Sequence, residues 1–218
     1  MMNLIKEDLA AISIHQDIFI SEQDLVSNGK IDEAIKALKK SNLIYEGVLE
    51  PPKGKKPDDW EPRPQMLFKS TKYGDEVDRP LQKSNKEWTY FANDIAYHFD
   101  KYQRGSNHLV DILGADHGGY VKRMTAAVAA LSDNKASFTA KLCQMVKLTR
   151  NGKQIKMSKR SGEFITLREV IDEVGSDSIR FMMLYRKNEA PLEFDFTKVT
   201  EQSKDCLLYT SPSPRDRG

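Results

Sequence analysis

The run LVDIL at residues 109–113 is followed directly by GADHGGY, and then by Val121, Met124, Ala127, Val128 and Leu131, spaced as on one face of a helix. A short apolar run predicts a strand, the glycines end it, and the three- and four-residue spacing starts a helix. Strand, glycine-rich turn and helix in that order point to an α/β fold. In an open parallel sheet, ligands collect beyond the carboxyl ends of the strands, so the turn that begins at Gly114 is a candidate site on topological grounds.

The flanking sequence extends this pattern. Upstream, Trp88, Phe91, Ile95, Phe99 and Tyr102 advance by three or four and predict a helix over 88–104, ending at Gly105. A second stripe on it holds Tyr90, Asp94, Tyr97 and Lys101. Downstream, TAKLCQMVKLT at 139–149 alternates as a strand does, and Asn151-Gly152 supplies the turn of a tight hairpin. Thr166 and Glu169 form a capping box for a helix ending near Gly175, a further helix is predicted over 177–186, and another begins at 197–205. Before all of these, the chain reads as a helix, a short strand at 17–20, a helix capped at Ser21, and a second helix through Ile31, Ile35 and Leu38, with Asn28-Gly29 between the two. Five prolines between Pro51 and Pro64 exclude a helix there and predict an extended loop inserted in the fold.

Composition narrows the class. An apolar share of 39% and a charged share of 30% are those of a globular protein, and no apolar run approaches the roughly 20 residues of a membrane helix. The start, MMNLIKEDLAAISI, is amphipathic rather than apolar at its centre, so a cytoplasmic protein is expected. Cys143 and Cys206 are too few for a disulfide framework or a cysteine-based zinc site, and no histidine and carboxylate spacing suggests a metal centre. A formal charge of +2 is too small for nucleic-acid binding by bulk electrostatics. The tail CLLYTSPSPRDRG, 206–218, abandons every pattern above and resembles a sequencing adapter read through as coding sequence.

The densest chemistry lies in KMSKRSGEF, 156–164, where Lys156, Lys159 and Arg160 precede Ser161 and Gly162. Such a segment is either a solvated basic turn or a mobile clamp whose ammonium groups meet phosphate. Lys156-Met157-Ser158-Lys159-Arg160 resembles the KMSKS signature of class I aminoacyl-tRNA synthetases. VKLTRNGKQIKMSKRSGEFITLREVIDEVG around it, LGADHGGYVKRM upstream and RFMMLYRKNEAPLEFDF downstream resemble bacterial arginyl-tRNA synthetases, over essentially residues 1–205. Arg160 stands at the signature's serine position, and Glu163 where asparagine is expected. The family's histidine-containing HIGH-type motif does not occur in the sequence.

That resemblance implies the C-terminal half of a Rossmann-like (HUP-type) α/β nucleotide-binding catalytic domain. Residues 1–86 would be an inserted connective segment, 87–187 the second half of the core with its signature loop, and 188–205 the start of a linker to a helical anticodon-binding domain. Lys156 and Lys159 would stabilise the pyrophosphate as it leaves, with Met157 and Ser158 completing the ATP-binding loop. Gly114 and Asp116 would meet the ribose of ATP. Tyr90 and Asp94 lie four apart and share a helix face, and they resemble the tyrosine and aspartate that hold the arginine side chain; without the resemblance, Asp94 reads as a surface aspartate of an amphipathic helix. His117 would either line the arginine or adenine pocket or cap the following helix. His98 and His108 read as exposed or packing residues, Trp60 as a loop pin or a tRNA stack, and Lys53, Lys55 and Lys56 as a solvated cluster or a phosphate contact. L-arginine, ATP with its Mg2+, and tRNA(Arg) are the implied substrates, activation would need bound tRNA, and full-length members would be monomers. Two other readings are a catalytically silent segment of such an enzyme and a synthetase for lysine.

Overall fold

A computed structural model describes residues 2–49, 63–83, 85–155 and 164–200. The chain divides into two compact units, one of residues 19–141 and the other of residues 1–18 with 142–218.

The unit of residues 19–141 begins with α2 (Glu22–Ser27), after α1 (Met2–Ala11) of the other unit. Ser21 caps α2 by accepting from the Asp24 main-chain N–H, as its position before an acidic first turn predicts. Gly29 then takes a left-handed conformation, φ 68°, which turns the chain into α3 (Lys30–Lys40) without the penalty a side chain would carry. Strands β1 (Ile44–Gly47), β2 (Gln65–Phe68) and β3 (Arg79–Pro80) form an antiparallel sheet, with Ile44 opposite Phe68 and Phe68 opposite Arg79. Next comes α4 (Tyr90–Gln103), capped by Thr89, which accepts from Ala92 N–H. Strand β4 (His108–Gly114) follows, then a 3-10 turn over Ala115–Tyr120, then α5 (Val121–Ser132) and β5 (Ser137–Cys143), which pairs with β4. Phe91, Ala92, Ile95 and Ala96 turn one face of α4 into a core with Ile35 and Leu38 of α3, Phe68, Leu109 and Met124. Burying five such large side chains stabilises the unit by roughly 1.5–3 kcal/mol each before conformational entropy is counted.

The second unit is built on β6 (Val146–Arg150), which pairs antiparallel with β7 (Lys153–Gln154) and parallel with β8 (Leu192–Asp195). Asn151 and Gly152 both have positive φ, 51° and 71°, the backbone that a two-residue hairpin turn demands. Helices α6 (Leu167–Val174), α7 (Ser176–Tyr185) and α8 (Phe196–Thr200) pack around Ile12, Ile179, Phe194 and Phe196. The capping box is formed: Thr166 accepts from Glu169 N–H, and the Glu169 carboxylate accepts from Thr166 N–H. Arg168 bonds Asp8 of α1, and Arg180 donates to the Ile12 carbonyl, so the amino-terminal residues belong to this unit.

Two expectations are corrected. Residues 17–20 form no strand: Ile18 is exposed, and none of the described strands pairs with this stretch. The single strand expected at 139–149 is two, because at Gln144 and Met145 the chain leaves β4 and joins β8; Gln144 N–H donates to the Asn188 carbonyl, and Met145 is 78% exposed. The described strands make sheets of three, two and three, with β6 and β8 a parallel pair. The fold is mixed α/β. The proline-rich loop falls mostly at 51–62, and with the tail at 201–218 it lies outside the described residues. Among the described residues no helix is long and apolar enough to cross a membrane.

Candidate functional site

Asp94 sits in the second turn of α4, next to core position Ile95 and two residues from Ala92, and is half-buried for that reason. The Tyr120 hydroxyl, delivered by the end of the 3-10 turn, donates to Asp94 Oδ2. Burial pushes the Asp94 carboxyl above the usual carboxylate range, and the negative charges of Glu22 and Asp111 push the same way; the Tyr120 bond and the field of His98 oppose the rise. Burial, then the bond to Asp94, raises the Tyr120 phenol, so it stays a donor at neutral pH. A carboxylate has about four lone-pair directions, so a hydroxyl on one oxygen leaves room for a planar cation.

An open cavity of about 200 Å³ lies beside it, lined by Ile20, Glu22, Leu25, Asn93, Asp94 and Tyr97. Asn93 Nδ2 donates to Glu22 Oε1 at 2.9 Å, while Asn93 Oδ1 is buried with no partner among the described residues. Two carboxylates, Glu22 and Asp94, line a space of guanidinium size, a lining suited to a cation that donates several hydrogen bonds.

The sequence-predicted residues divide. Tyr90 shares α4 with Asp94 but is 79% exposed at the start of the helix, outside the cavity lining, with Lys83 Nζ 5.8 Å from its ring centroid. Gly114 ends β4 as expected, and Asp116 and His117 follow in the 3-10 turn. The Asp116 side chain is 83% exposed and folds back so closely that a Cβ on Gly114 would come within 2.5 Å of its Oδ1. His117 stands edge-on to the Tyr120 ring at 6.5 Å, which links it to Asp94 through one side chain. The capping alternative for His117 is not seen, since no side chain caps α5. Lys156, Met157, Ser158 and Lys159 lie outside the described residues, as do Trp60, Lys53, Lys55 and Lys56. No group of His, Cys, Asp or Glu among the described residues could hold a metal ion.

Two polar contacts beside the cavity escaped the sequence reading. Tyr120 reads as one aromatic at a helix start, and only the fold brings it to Asp94, 26 positions away. Its ring also carries Arg123 at 5.3 Å. His98 was expected to be exposed or packing; it is buried, with Nδ1 2.7 Å from the Asp94 carbonyl and Nε2 2.8 Å from Asp111 Oδ2. The spacing of Asp94 and His98, four apart on a helix, was the available signal.

Comparison with known proteins gives a consistent result. No family model matches the chain. Arginine-tRNA ligases match it at 62% identity over 209 residues in a Ruegeria species, 60% over 209 residues in Paracoccus denitrificans and 62% over 211 residues in Methylorubrum extorquens, in each case over 96% of the chain. The chain spans about 36% of the length of these relatives. A solved Campylobacter jejuni chain described as an arginyl-tRNA synthetase superposes with a TM-score of 0.75 at 33% identity, over 93% of this chain and 40% of that one. The Thermus thermophilus arginyl-tRNA synthetase shares the fold, with a TM-score of 0.62 at 15% identity over 89% of this chain and 40% of its own.

Proposed function

We propose that this chain, homologous over 96% of its length to arginine-tRNA ligases, supplies the arginine-recognising and pyrophosphate-facing parts of that enzyme in the protein that carries it. That homology is the observation behind the assignment, and the half-buried Asp94 carboxylate is its chemical counterpart. The reaction has two steps. A carboxylate oxygen of L-arginine attacks the α-phosphorus of ATP and pyrophosphate leaves; a terminal ribose hydroxyl of tRNA(Arg) then takes the arginyl group and AMP departs.

Each residue acts on one part of this sequence. Asp94 accepts from the guanidinium, with Tyr120 fixing the carboxylate and Tyr90 closing over the side chain from the helix start. Gly114 and Asp116 receive the ATP ribose, and His117 lines the pocket beside them. Lys156 and Lys159, with Met157 and Ser158 in the same loop, face the phosphates; their ammonium groups gain most as charge builds on the departing pyrophosphate, so they lower the barrier rather than merely tighten ATP binding. Mg2+ enters with ATP, held mainly through phosphate oxygens.

Residues 1–86 then form the connective segment, 87–187 the second half of a Rossmann-like core, 188–205 the start of a linker toward a helical anticodon-binding domain, and 206–218 adapter-derived sequence. The enzyme works in the cytoplasm as a monomer. The 218 residues alone are expected to be inactive, since no HIGH-type ATP motif occurs in them.

The test is arginine-dependent exchange of pyrophosphate into ATP with tRNA(Arg) present, on this chain and on the full-length enzyme. Exchange is expected in the full-length enzyme only. Lys159→Ala should cost on the order of 100- to 1,000-fold in rate, and Asp94→Asn should raise the arginine KM by about tenfold or more. Exchange driven by lysine, or indifferent to Asp94→Asn, would overturn the assignment.

A further inference from the structure

Beside Asp94, and outside the cavity lining, lies a largely buried charge cluster. We propose that His98 is a positioning residue for arginine recognition, held doubly protonated between the Asp94 main-chain carbonyl and the Asp111 carboxylate. The proposal rests on the assignment of Asp94 to arginine.

The geometry carries it. The His98 side chain is 5% exposed, and both ring nitrogens are at hydrogen-bond distance from oxygens, 2.7 Å for Nδ1 to the Asp94 carbonyl and 2.8 Å for Nε2 to Asp111 Oδ2. A peptide carbonyl has no proton to give. Asp111 has none either: burial alone would raise its carboxyl, but bonds from His98 and Lys101 outweigh this and hold it at about 2. A neutral imidazole donates from one nitrogen only, and would set its other lone pair against an acceptor. The imidazolium satisfies both contacts.

The surrounding groups are compatible with that charge. On α4, Lys101 Nζ bonds the other Asp111 oxygen at 3.0 Å, and the Asp94 carboxylate lies near. Asp111 is the charged group from β4, and β5 contributes only the Phe138 ring, edge-on to the imidazole at 5.4 Å. The Tyr97 ring packs against it at 5.7 Å. Two cations, His98 and Lys101, thus balance two carboxylates, Asp94 and Asp111.

The imidazolium acts on Asp94 twice and in one direction. Its bonds to the Asp94 carbonyl and to Asp111 hold the α4 turn that aims the carboxylate, and its positive field favours ionised Asp94.

Three measurements test this. Imidazole 15N–1H correlation spectra of the 218-residue chain at pH 7 should show protons on both His98 nitrogens; one bare nitrogen overturns the proposal. In the full-length enzyme, His98→Gln should raise the arginine KM about tenfold with kcat within about twofold. Asp111→Asn preserves shape but withdraws the carboxylate that the imidazolium bonds, so it should raise the arginine KM in the same way; it decides the matter if His98→Gln does not fold. An arginine KM unchanged in both variants overturns the positioning role while leaving Asp94 assigned to arginine. An arginine KM unmoved by Asp94→Asn overturns that assignment instead, whatever the spectra show.

Discussion

Tyr120→Phe isolates one hydroxyl. The ring keeps its edge contacts with Phe91 at 6.1 Å and His117 at 6.5 Å, and it still lies under Arg123, so the variant loses the bond to Asp94 and little else. A hydrogen bond to a charged group contributes about 1.5–3 kcal/mol. Asp94 borders an open cavity from which water can replace part of that bond, so the lower half of the range, about 1.5–2 kcal/mol, is expected at pH 7. For a chain of this size that corresponds to a fall in Tm of about 3–8 °C. The pH dependence has a definite sign. Burial already lifts the Asp94 carboxyl above its unfolded value, and Tyr120 pulls it back. Without the hydroxyl the carboxyl rises further, so the folded state holds its proton to higher pH and loses stability more steeply as pH climbs through that window. The penalty is therefore greatest at neutral pH and shrinks in acid, where Asp94 is protonated in both proteins. Urea unfolding of the two proteins at pH 7 and pH 4 reads this directly. A penalty equal at both pH values, or none at pH 7, would show that the hydroxyl does not serve an ionised carboxylate.

Three further outcomes follow from other contacts. Arg79→Met strands Asp75, which is 7% exposed and takes both of its guanidinium bonds at 2.7 Å, and should cost about 3–5 kcal/mol in urea unfolding; a loss under about 1 kcal/mol would contradict it. Asp111, held at about 2 in the fold, contributes stability that is complete above its ordinary range near pH 4 and is lost as pH falls toward 2, so Asp111→Asn should remove up to about 2 kcal/mol of the acid sensitivity seen in unfolding curves. Gly114→Ala meets only the Asp116 carboxylate, whose side chain is 83% exposed and can swing aside; calorimetry should show a change below about 1 kcal/mol, while the displaced Asp116 raises the ATP KM of the full-length enzyme several-fold.

What the sequence made legible is what local chemistry decides. Caps at Ser21 and Thr166, the Asn151-Gly152 turn and the apolar face of α4 each follow from the residues within one or two turns, and each is found. Strands were harder, because pairing is decided at a distance. Residues 17–20 have strand-like side chains but pair with none of the described strands, whereas β8 is four residues long and exists through its parallel register with β6, Val146 opposite Leu192. Within the site the division is the same. Asp94 could be singled out on its helix and from the family resemblance. Tyr120 could not, since no periodicity links a helix start to a carboxylate on another helix.

The register of α4 ties these observations together. Phe91, Ala92, Ile95 and Ala96 take the core, so the next row around the helix, Asp94, His98 and Lys101, is carried to its polar margin at spacings of four and three. There β4 offers Asp111 to His98 and Lys101 together, and the turn into α5 offers Tyr120 to Asp94. A rotation of α4 by one residue, about 100°, would carry the Asp94 carboxylate to the core position of Ile95 and set Asn93 against Tyr120. The packing that stabilises the unit therefore also fixes where Asp94 points. The polar row, by satisfying its own charges, lets an aspartate stay half-buried and ionisable beside the cavity. Moving the helix cannot tune one without disturbing the other, so adjustment of the Asp94 carboxylate has to come from the groups that hold the row: Tyr120 and His98.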